Sequence, residues 1–347
     1  MNNNAFLTTL GWLPFFQQQL SEQEWESAVP ARIVEQHKAS IEVENAAGRL
    51  TIALHPGMPL LTVGDWLLLD ANGAFLRALE RRSCFRRKAA GSRLTEQLIA
   101  ANIDTAFIVC SMNEDFNLNR IERYLSIVNE AGSTPVLVLS KMDLCPDPDH
   151  YLDQLRQLDN QLCTELVNCL DSHCVSVLLP WCQLGKTVVM LGSSGSGKSS
   201  LSNTLLGAES QKTAAIREDD AKGRHTTTRR SLLKLPGGAM ILDTPGMREL
   251  QLVDCEEGIA TTFSDIDELS SACRFSDCQH DNEPGCRVQA AINSGELELR
   301  RFKNYSKLLR EQALNKASLA ERRASDKKFG SFYKKVINES VKAKRGE

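Results

Sequence analysis

Residues 192–199 read GSSGSGKS and carry the residue types needed to hold a polyphosphate. They match G-x-x-x-x-G-K-[ST], in which glycines let backbone N–H groups converge on phosphate oxygens. The apolar run TVVML precedes them and LSNTLL follows, as expected for a loop between a strand and a helix. We predict a phosphate-binding loop whose contacting residues are Gly192, Ser193, Ser194, Gly195, Ser196, Gly197, Lys198, Ser199 and Ser200.

Two side chains of this loop carry the chemistry. The Lys198 ammonium is expected to reach the β- and γ-phosphates, and the Ser199 hydroxyl is expected to bind Mg²⁺. A flexible Gly/Ser linker is the alternative. The flanking strand and helix disfavour it.

A second loop, ILDTPG at 241–246, has the pattern of the metal side of such a site. Asp243, at the end of an apolar strand, would hold Mg²⁺ through water, and the Gly246 N–H would contact the γ-phosphate. Between the two loops lies KGRHTTTRR, which we predict to be a switch segment. Thr227 is its expected Mg²⁺ ligand, with Thr226 and Thr228 as neighbours; an ordinary surface loop is the alternative.

The base-reading element is predicted at SKMD, after the apolar run PVLVLS. The Asp143 carboxylate can accept from guanine N1–H and the exocyclic amine, a pair that adenine does not offer, which favours GTP over ATP. The Lys141 stem can lie across the base. VSV at 175–177 is predicted to be a second base loop. The expected base-contacting residues are Ser140, Lys141, Met142, Asp143, Ser176 and Val177.

The order of these motifs along the chain is permuted. Both base loops precede the phosphate loop, whereas in an ordinary GTPase they follow it. Loops at the carboxyl ends of parallel strands keep their places when nearby termini are joined and the chain is opened elsewhere. We therefore predict a circular permutation, joined through LLPWCQLGK at 178–186.

Cys273, Cys278, His280 and Cys286 form the pattern C-x4-C-x-H-x5-C. Three thiolates and one imidazole complete a tetrahedral zinc shell, and four protein ligands make such a metal structural. The spacing differs from that of the commonest zinc fingers. Reduced thiols without a metal are therefore the alternative.

The elements that must position these residues differ along the chain. Apolar runs at 105–111, 135–140, 173–177, 187–191 and 239–243 alternate with helical stretches and predict a parallel sheet covered on both faces. Short strand-like runs at 31–80 predict a small β-barrel, either an OB-type RNA-binding barrel or one that only packs on its neighbour. We predict an α/β chain with an N-terminal OB-type barrel (1–95), a permuted P-loop GTPase domain (96–250) and a helical zinc-binding domain with a basic tail (251–347).

Composition narrows the class of protein. The chain has 347 residues, is 42% hydrophobic and has no run of 18 apolar residues, so no membrane span is expected. The N-terminal MNNNAFLTTLGWLPFF lacks a basic start and has only a short apolar patch, so no signal peptide is expected. Its eleven cysteines are mostly scattered, which favours a reducing cytoplasm over a disulfide framework. Basic residues concentrate at RRSCFRRK (81–88) and beyond residue 300. They suggest a polyanionic partner, with a solvated helix face as the alternative for a single basic helix.

Taken together, the motifs resemble the ribosome small subunit-dependent GTPase A (RsgA, or YjeQ) family. The resemblance is carried by EQLIAANID, SKMDL, GSSGSGKSSL, GRHTTT, DTPGMRE and CRFSDCQHDNEPGC. It implies GTP hydrolysis stimulated by the small ribosomal subunit in its late maturation, a barrel touching ribosomal RNA, one structural Zn²⁺ and Mg²⁺ with GTP, in a cytoplasmic monomer. Ser140 stands where the family commonly has Asn, and Val177 where Ala is usual.

The residue that activates water is not the usual one. In many GTPases a Gln after D-x-x-G orients the attacking water, but Met247 stands there in this chain. His225 in the predicted switch segment can accept a hydrogen bond from water, and the resemblance supports it as catalytic beside Lys198, Thr227 and Asp243. The alternatives are that His225 contacts RNA or solvent, and that the protein is an RNA-binding placement module with GTP as a structural ligand.

Overall fold

The computed structural model of the chain describes residues 3–88, 96–207, 230–243, 255–281, 283–313 and 315. The described helices are α1 Asn3–Thr9, α2 Pro14–Gln17, α3 Glu22–Ser27, α4 Leu118–Glu130, α5 Pro148–Leu158, α6 His173–Leu178, α7 198–207, α8 Glu256–Thr262, α9 Ser264–Ser271, α10 Arg287–Ser294 and α11 299–313. The strands are β1 Val29–Gln36, β2 Ser40–Asn45, β3 Gly48–Ala53, β4 Trp66–Leu69, β5 Phe75–Ala78, β6 Cys84–Lys88, β7 Glu96–Ala101, β8 Thr105–Ser111, β9 Thr134–Ser140, β10 Thr164–Leu166, β11 Thr187–Leu191, β12 Arg230–Lys234 and β13 Met240–Asp243.

A central sheet has the strand order β10-β9-β8-β11-β13-β12. All its pairings are parallel except that of β12 with β13. Every residue of β8 and of β11 is buried, as expected for strands covered on both faces. The predicted strands at 105–111, 135–140, 187–191 and 239–243 are confirmed.

The predicted strand at 173–177 is wrong. These residues form α6, and the edge strand of the sheet comes earlier, at β10. Cys174 and Leu178 are buried one helical turn apart on the inner face of α6. A five-residue apolar run fits a strand and one buried helix face equally well, so its pattern did not separate the two.

The permuted chain order is confirmed in the central sheet. The strand that leads into the phosphate loop, β11, lies in the middle of the sheet although β8, β9 and β10 precede it in the chain. Helix α6 and the linker at 178–186 carry the chain from the edge strand β10 back to this central position. The described loops after β8, β9, β10 and β11 consequently meet at the carboxyl end of the parallel strands.

An N-terminal sheet, β1 to β5, is antiparallel and confirms the short strands expected over 31–80. Strand β1 pairs with β4 along its first half and with β2 along its second half. Its last residues also pair with β12, with Glu35 opposite Ser231 and Gln36 opposite Arg230. The β1–β12 pairing therefore joins the two sheets into one continuous hydrogen-bonded sheet. The OB-type assignment stays a prediction.

A separate two-stranded hairpin pairs β6 with β7. It holds both the basic stretch at 84–88 and the first residues of EQLIAANID. The hairpin thus crosses the predicted boundary between residues 95 and 96. The domain limits stay predictions.

The C-terminal helices pack on α4. Gly258 of α8 lies so close to α4 that a Cβ there would come within 2.0 Å of the Ser126 carbonyl oxygen. Beside this contact, the fully buried Glu122 carboxylate of α4 accepts from Arg300 at 3.0 Å and Arg301 at 2.9 Å. An ion-pair network therefore fixes α11 on α4.

Among the residues described, no helix combines the length and the apolar character that crossing a bilayer requires.

Candidate nucleotide and metal sites

The phosphate loop connects β11 to α7, as the sequence predicts. Gly192 has φ 143°, and a Cβ there would come within 2.2 Å of the Val109 carbonyl oxygen. Gly197 has φ 97°, with the Cys169 sulfur 3.2 Å from its would-be Cβ. Both positions require glycine, because a side chain would meet strand β8 in one case and the loop after β10 in the other.

Lys198 folds over this loop. Its Nζ donates to the Gly192 carbonyl oxygen at 2.8 Å and to the Ser193 carbonyl oxygen. The ammonium is thereby placed inside the arc of the loop, where it can meet phosphate oxygens. Ser199, in the first turn of α7, is exposed and can offer its hydroxyl to a cation. The remaining predicted loop residues split between exposed positions, Ser194 and Gly195, and less exposed ones, Ser196 and Ser200.

Ser140 connects the base-reading element to the phosphate loop. Its buried hydroxyl donates to the Ser196 carbonyl oxygen at 2.6 Å. The Cys110 carbonyl oxygen lies 3.4 Å from the same hydroxyl. Serine at this position therefore ties the two loops together. The sequence motif alone did not show this contact.

The base-reading element leaves the sheet at the end of β9. Lys141 adopts the left-handed conformation, with φ 62°, and a 3₁₀ turn at Met142–Leu144 follows. Met142 and Asp143 are exposed, so the Asp143 carboxylate is open to a ligand. The Met142 N–H donates to the Val167 carbonyl oxygen at 3.3 Å, which places the loop after β10 beside this turn.

The residues predicted for the second base loop lie on a helix. Ser176 and Val177 belong to α6, where the exposed Ser176 hydroxyl donates to the His173 carbonyl oxygen at 2.7 Å. Residues 167–170 also lie beside the phosphate loop, since the Cys169 sulfur is 3.2 Å from the would-be Cβ of Gly197. The Cys169 carbonyl oxygen accepts from the Thr204 hydroxyl of α7 at 2.8 Å. The turn-forming Asn168 is a sequence signal that could have indicated this loop.

Of the site residues predicted for the metal and switch loops, Asp243 is the one that the structure describes. Asp243 is the last residue of β13 and pairs with Ser231 of β12. Because β13 runs parallel to β11, Asp243 lies at the same end of the strands as the phosphate loop. The other residues predicted for the metal and switch loops lie outside the described residues: His225, Thr226, Thr227, Thr228, Gly246 and Met247.

The C-terminal cysteines and histidine come together. The ligand atoms of Cys273, Cys278, His280 and Cys286 lie within 4.8 Å of one another. The Cys273 and Cys286 sulfurs are 4.0 Å apart, and His280 Nδ1 lies 3.6 and 3.5 Å from them. A tetrahedral zinc with Zn–S bonds of about 2.3 Å spaces its sulfurs by about 3.8 Å, so the group fits this ion.

Polar neighbours support the same cluster. The far nitrogen of His280, Nε2, lies 3.2 Å from the Ser270 hydroxyl, which leaves Nδ1 facing the sulfurs. The Arg287 N–H donates to the Cys273 sulfur at 3.3 Å, and the Gln289 N–H to the Cys286 sulfur at 3.4 Å. N–H donors of this kind favour thiolates, the form of cysteine that binds metal.

Some arginines of the predicted basic surface form ion pairs within the fold. Arg81 pairs with the buried Asp65 at 2.7 Å, and Arg82 pairs with Asp104. The buried Arg301 pairs with Glu122 and Asp265. These arginines hold the fold together, which reduces the charge available to a polyanion at the start of both basic segments.

Known proteins are similar to this chain in sequence and in fold. The model of the RsgA GTPase family matches residues 78–253. A protein named small ribosomal subunit biogenesis GTPase RsgA 2, from Vibrio parahaemolyticus serotype O3:K6, is 54% identical over 97% of this chain and 94% of its own length. A Vibrio vulnificus protein of the same name is 55% identical over 97% of each chain.

Two solved structures have the same architecture. YjeQ from Thermotoga maritima superimposes with a TM-score of 0.62, at 25% identity over 82% of this chain and 98% of its own. YloQ, described as a circularly permuted GTPase, superimposes with a TM-score of 0.59, at 25% identity over 84% of this chain and 97% of its own.

Proposed function

The chain belongs to the RsgA GTPase family, and from this premise we propose that it hydrolyses GTP to GDP and phosphate when stimulated by the small ribosomal subunit, during late maturation of that subunit. The observation that carries the proposal is the bond from Ser140 to the Ser196 carbonyl oxygen. This bond holds a guanine-reading carboxylate, Asp143, and a phosphate loop in one site.

The proposed roles rest on the described positions of Asp143, Lys198 and Ser199 and, for Thr227, Asp243 and His225, on the sequence motifs that contain them. Asp143 accepts from the guanine edge, and Lys198 meets the β- and γ-phosphates. Ser199 and Thr227 would hold Mg²⁺ directly and Asp243 would hold it through water, and the bound ion would offset the charge of the phosphate oxygens. His225 orients the attacking water.

We propose a structural Zn²⁺ at the Cys/His cluster, because its four ligands leave no open position. Cys286→Ser is expected to lose the zinc and, with it, the order of the C-terminal helices, since structural zinc binding is coupled to folding. Zinc content by elemental mass spectrometry and protease resistance of residues 255–315 measure both effects. Cys163→Ser, at an exposed cysteine outside the cluster, is the control and should change neither. Equal zinc content in the two variants would rule out this site.

Small ribosomal subunits and their RNA are the proposed partners, in the cytoplasm and with a monomeric protein. The N-terminal sheet is the proposed RNA-contacting part, and it connects to the GTPase core through the β1–β12 pairing. In this arrangement the RNA-contacting region and the strand after the switch segment belong to one hydrogen-bonded sheet.

The direct test is GTP turnover with purified small subunits, with large subunits and with neither. We expect stimulation by small subunits alone. His225→Ala should lower the stimulated turnover and leave nucleotide binding near wild type, whereas the control His150→Ala, at an exposed histidine of α5, should lower neither. Binding to small subunits without stimulated turnover would instead favour a placement module that uses GTP as a structural ligand.

A further inference from the structure

The loop between β8 and α4 contacts the phosphate loop, because β8 is the neighbour of β11 in the sheet. Strand β8 pairs in parallel with β11, so the loops that follow them lie side by side. In this loop the Asp115 carboxylate accepts a hydrogen bond from the Ser193 hydroxyl. Its other oxygen is 2.7 Å from a guanidinium nitrogen of Arg120.

The position of Asp115 is set by its own loop. The Asn113 side-chain oxygen accepts from the Asp115 N–H at 3.0 Å, and the Ser111 hydroxyl donates to that oxygen at 2.9 Å. Arg120 is fixed in turn, because its N–H is capped by the Asn117 side chain at the start of α4. The carboxylate is therefore presented to Ser193 by a turn and a capped helix.

A carboxylate beside a loop that binds phosphates needs compensation, since like charges repel. The hydrogen bond from Ser193 and the neighbouring Arg120 lower the pKa of Asp115, so its carboxylate is ionised at neutral pH. The positive charge of Arg120 offsets the charge of this carboxylate. The side chains of Asp115 and Arg120 are both more than a third exposed. An exposed pair of this kind contributes little to global stability, which leaves the contact with Ser193 as its main effect.

The phosphate loop is thus held at two points. Ser196 is held through its carbonyl oxygen by Ser140 from β9, and Ser193 is held through its hydroxyl by Asp115. A loop that binds anions with several backbone N–H groups gains affinity when those groups are fixed in advance, because less conformational entropy is lost on binding.

We propose that Asp115 is a positioning residue of the nucleotide site, which fixes the first turn of the phosphate loop through Ser193 and is itself held by Arg120. The proposal rests on the proposed GTPase function. It requires no contact between Asp115 and the nucleotide.

The test compares guanine-nucleotide binding and turnover in the full chain. Asp115→Ala is expected to raise the Kd for GDP and the KM for GTP about tenfold, with kcat within about twofold, because Lys198 and the hydrolytic residues are untouched. Asp115→Asn keeps an oxygen that accepts from Ser193 and should weaken binding only about threefold. Ser193→Ala should match Asp115→Ala, and the double variant should be no weaker than either single variant.

Asp153→Ala is the matched control, because it removes an exposed aspartate paired with Arg156 at 2.9 Å on α5. It should leave Kd, KM and kcat unchanged. The inference is overturned if Asp115→Ala and Ser193→Ala each bind like the wild type, or if their effects multiply in the double variant. A wild-type chain that binds no guanine nucleotide would instead overturn the proposed function.

Discussion

Lys198→Ala is expected to lower GTP turnover by a factor of about 10² to 10³, the usual effect of removing one group that stabilises charge on the transferred phosphoryl. The ammonium lies within the arc of the phosphate loop, on the carbonyl oxygens of Gly192 and Ser193. No other described lysine of this loop can replace it, because 192–200 contains only one. Single-turnover hydrolysis at saturating GTP, with small subunits present, measures the effect.

Lys186→Ala is the control for this variant. Lys186 directly precedes β11, at the far end from the phosphate loop, and pairs with Asp104 at 3.2 Å. This variant also removes one lysine charge next to β11, but away from the phosphate loop, and should change turnover by less than about twofold. Retention of half the wild-type rate by Lys198→Ala would contradict the assignment of the loop.

Glu122→Ala is expected to cost about 3–5 kcal/mol of the free energy that holds the C-terminal helices on α4. Glu122 is fully buried, and its carboxylate also accepts from the Asn304 amide at 2.5 Å. Without it, the buried Arg301 keeps one carboxylate among the described residues, that of Asp265. Leaving half of a buried ion pair unmatched is costly because the remaining charge stays desolvated.

Limited proteolysis and urea denaturation followed by a C-terminal probe measure this loss. Glu122→Gln should cost less than alanine, because the amide oxygen still accepts from the arginines. Glu268→Ala, at an exposed position of α9, is the control and should stay within about 0.5 kcal/mol of wild type. Equal denaturation midpoints for Glu122→Ala and the control would show that the network is dispensable.

Much of the nucleotide site was predictable because its residues are local in sequence. The phosphate loop needs glycines, a lysine and a serine within eight positions between an apolar strand and a helix, and the structure confirms both flanking elements. Strands β8, β9, β11 and β13 were predictable for a related reason. Buried parallel strands are continuous apolar runs, and each run is bounded by polar residues.

The errors and omissions concern features that depend on distant partners. The run at 173–177 was ambiguous because a short helix with one buried face carries the same residue types as a strand. Strand β10 was missed because it has only three residues, all partly exposed. The contact between Asp115 and Ser193 spans 78 residues of chain, so no local pattern contains it.

The hydrogen bonds between β1 and β12 have a practical consequence for dissecting this protein. A fragment that begins near residue 78, where the family match starts, would strip β12 of its outer neighbour and leave its backbone donors and acceptors facing water. Unprotected sheet edges invite pairing between molecules. Fragments that begin there should aggregate in solution, whereas fragments that retain residues 29–36 should stay soluble.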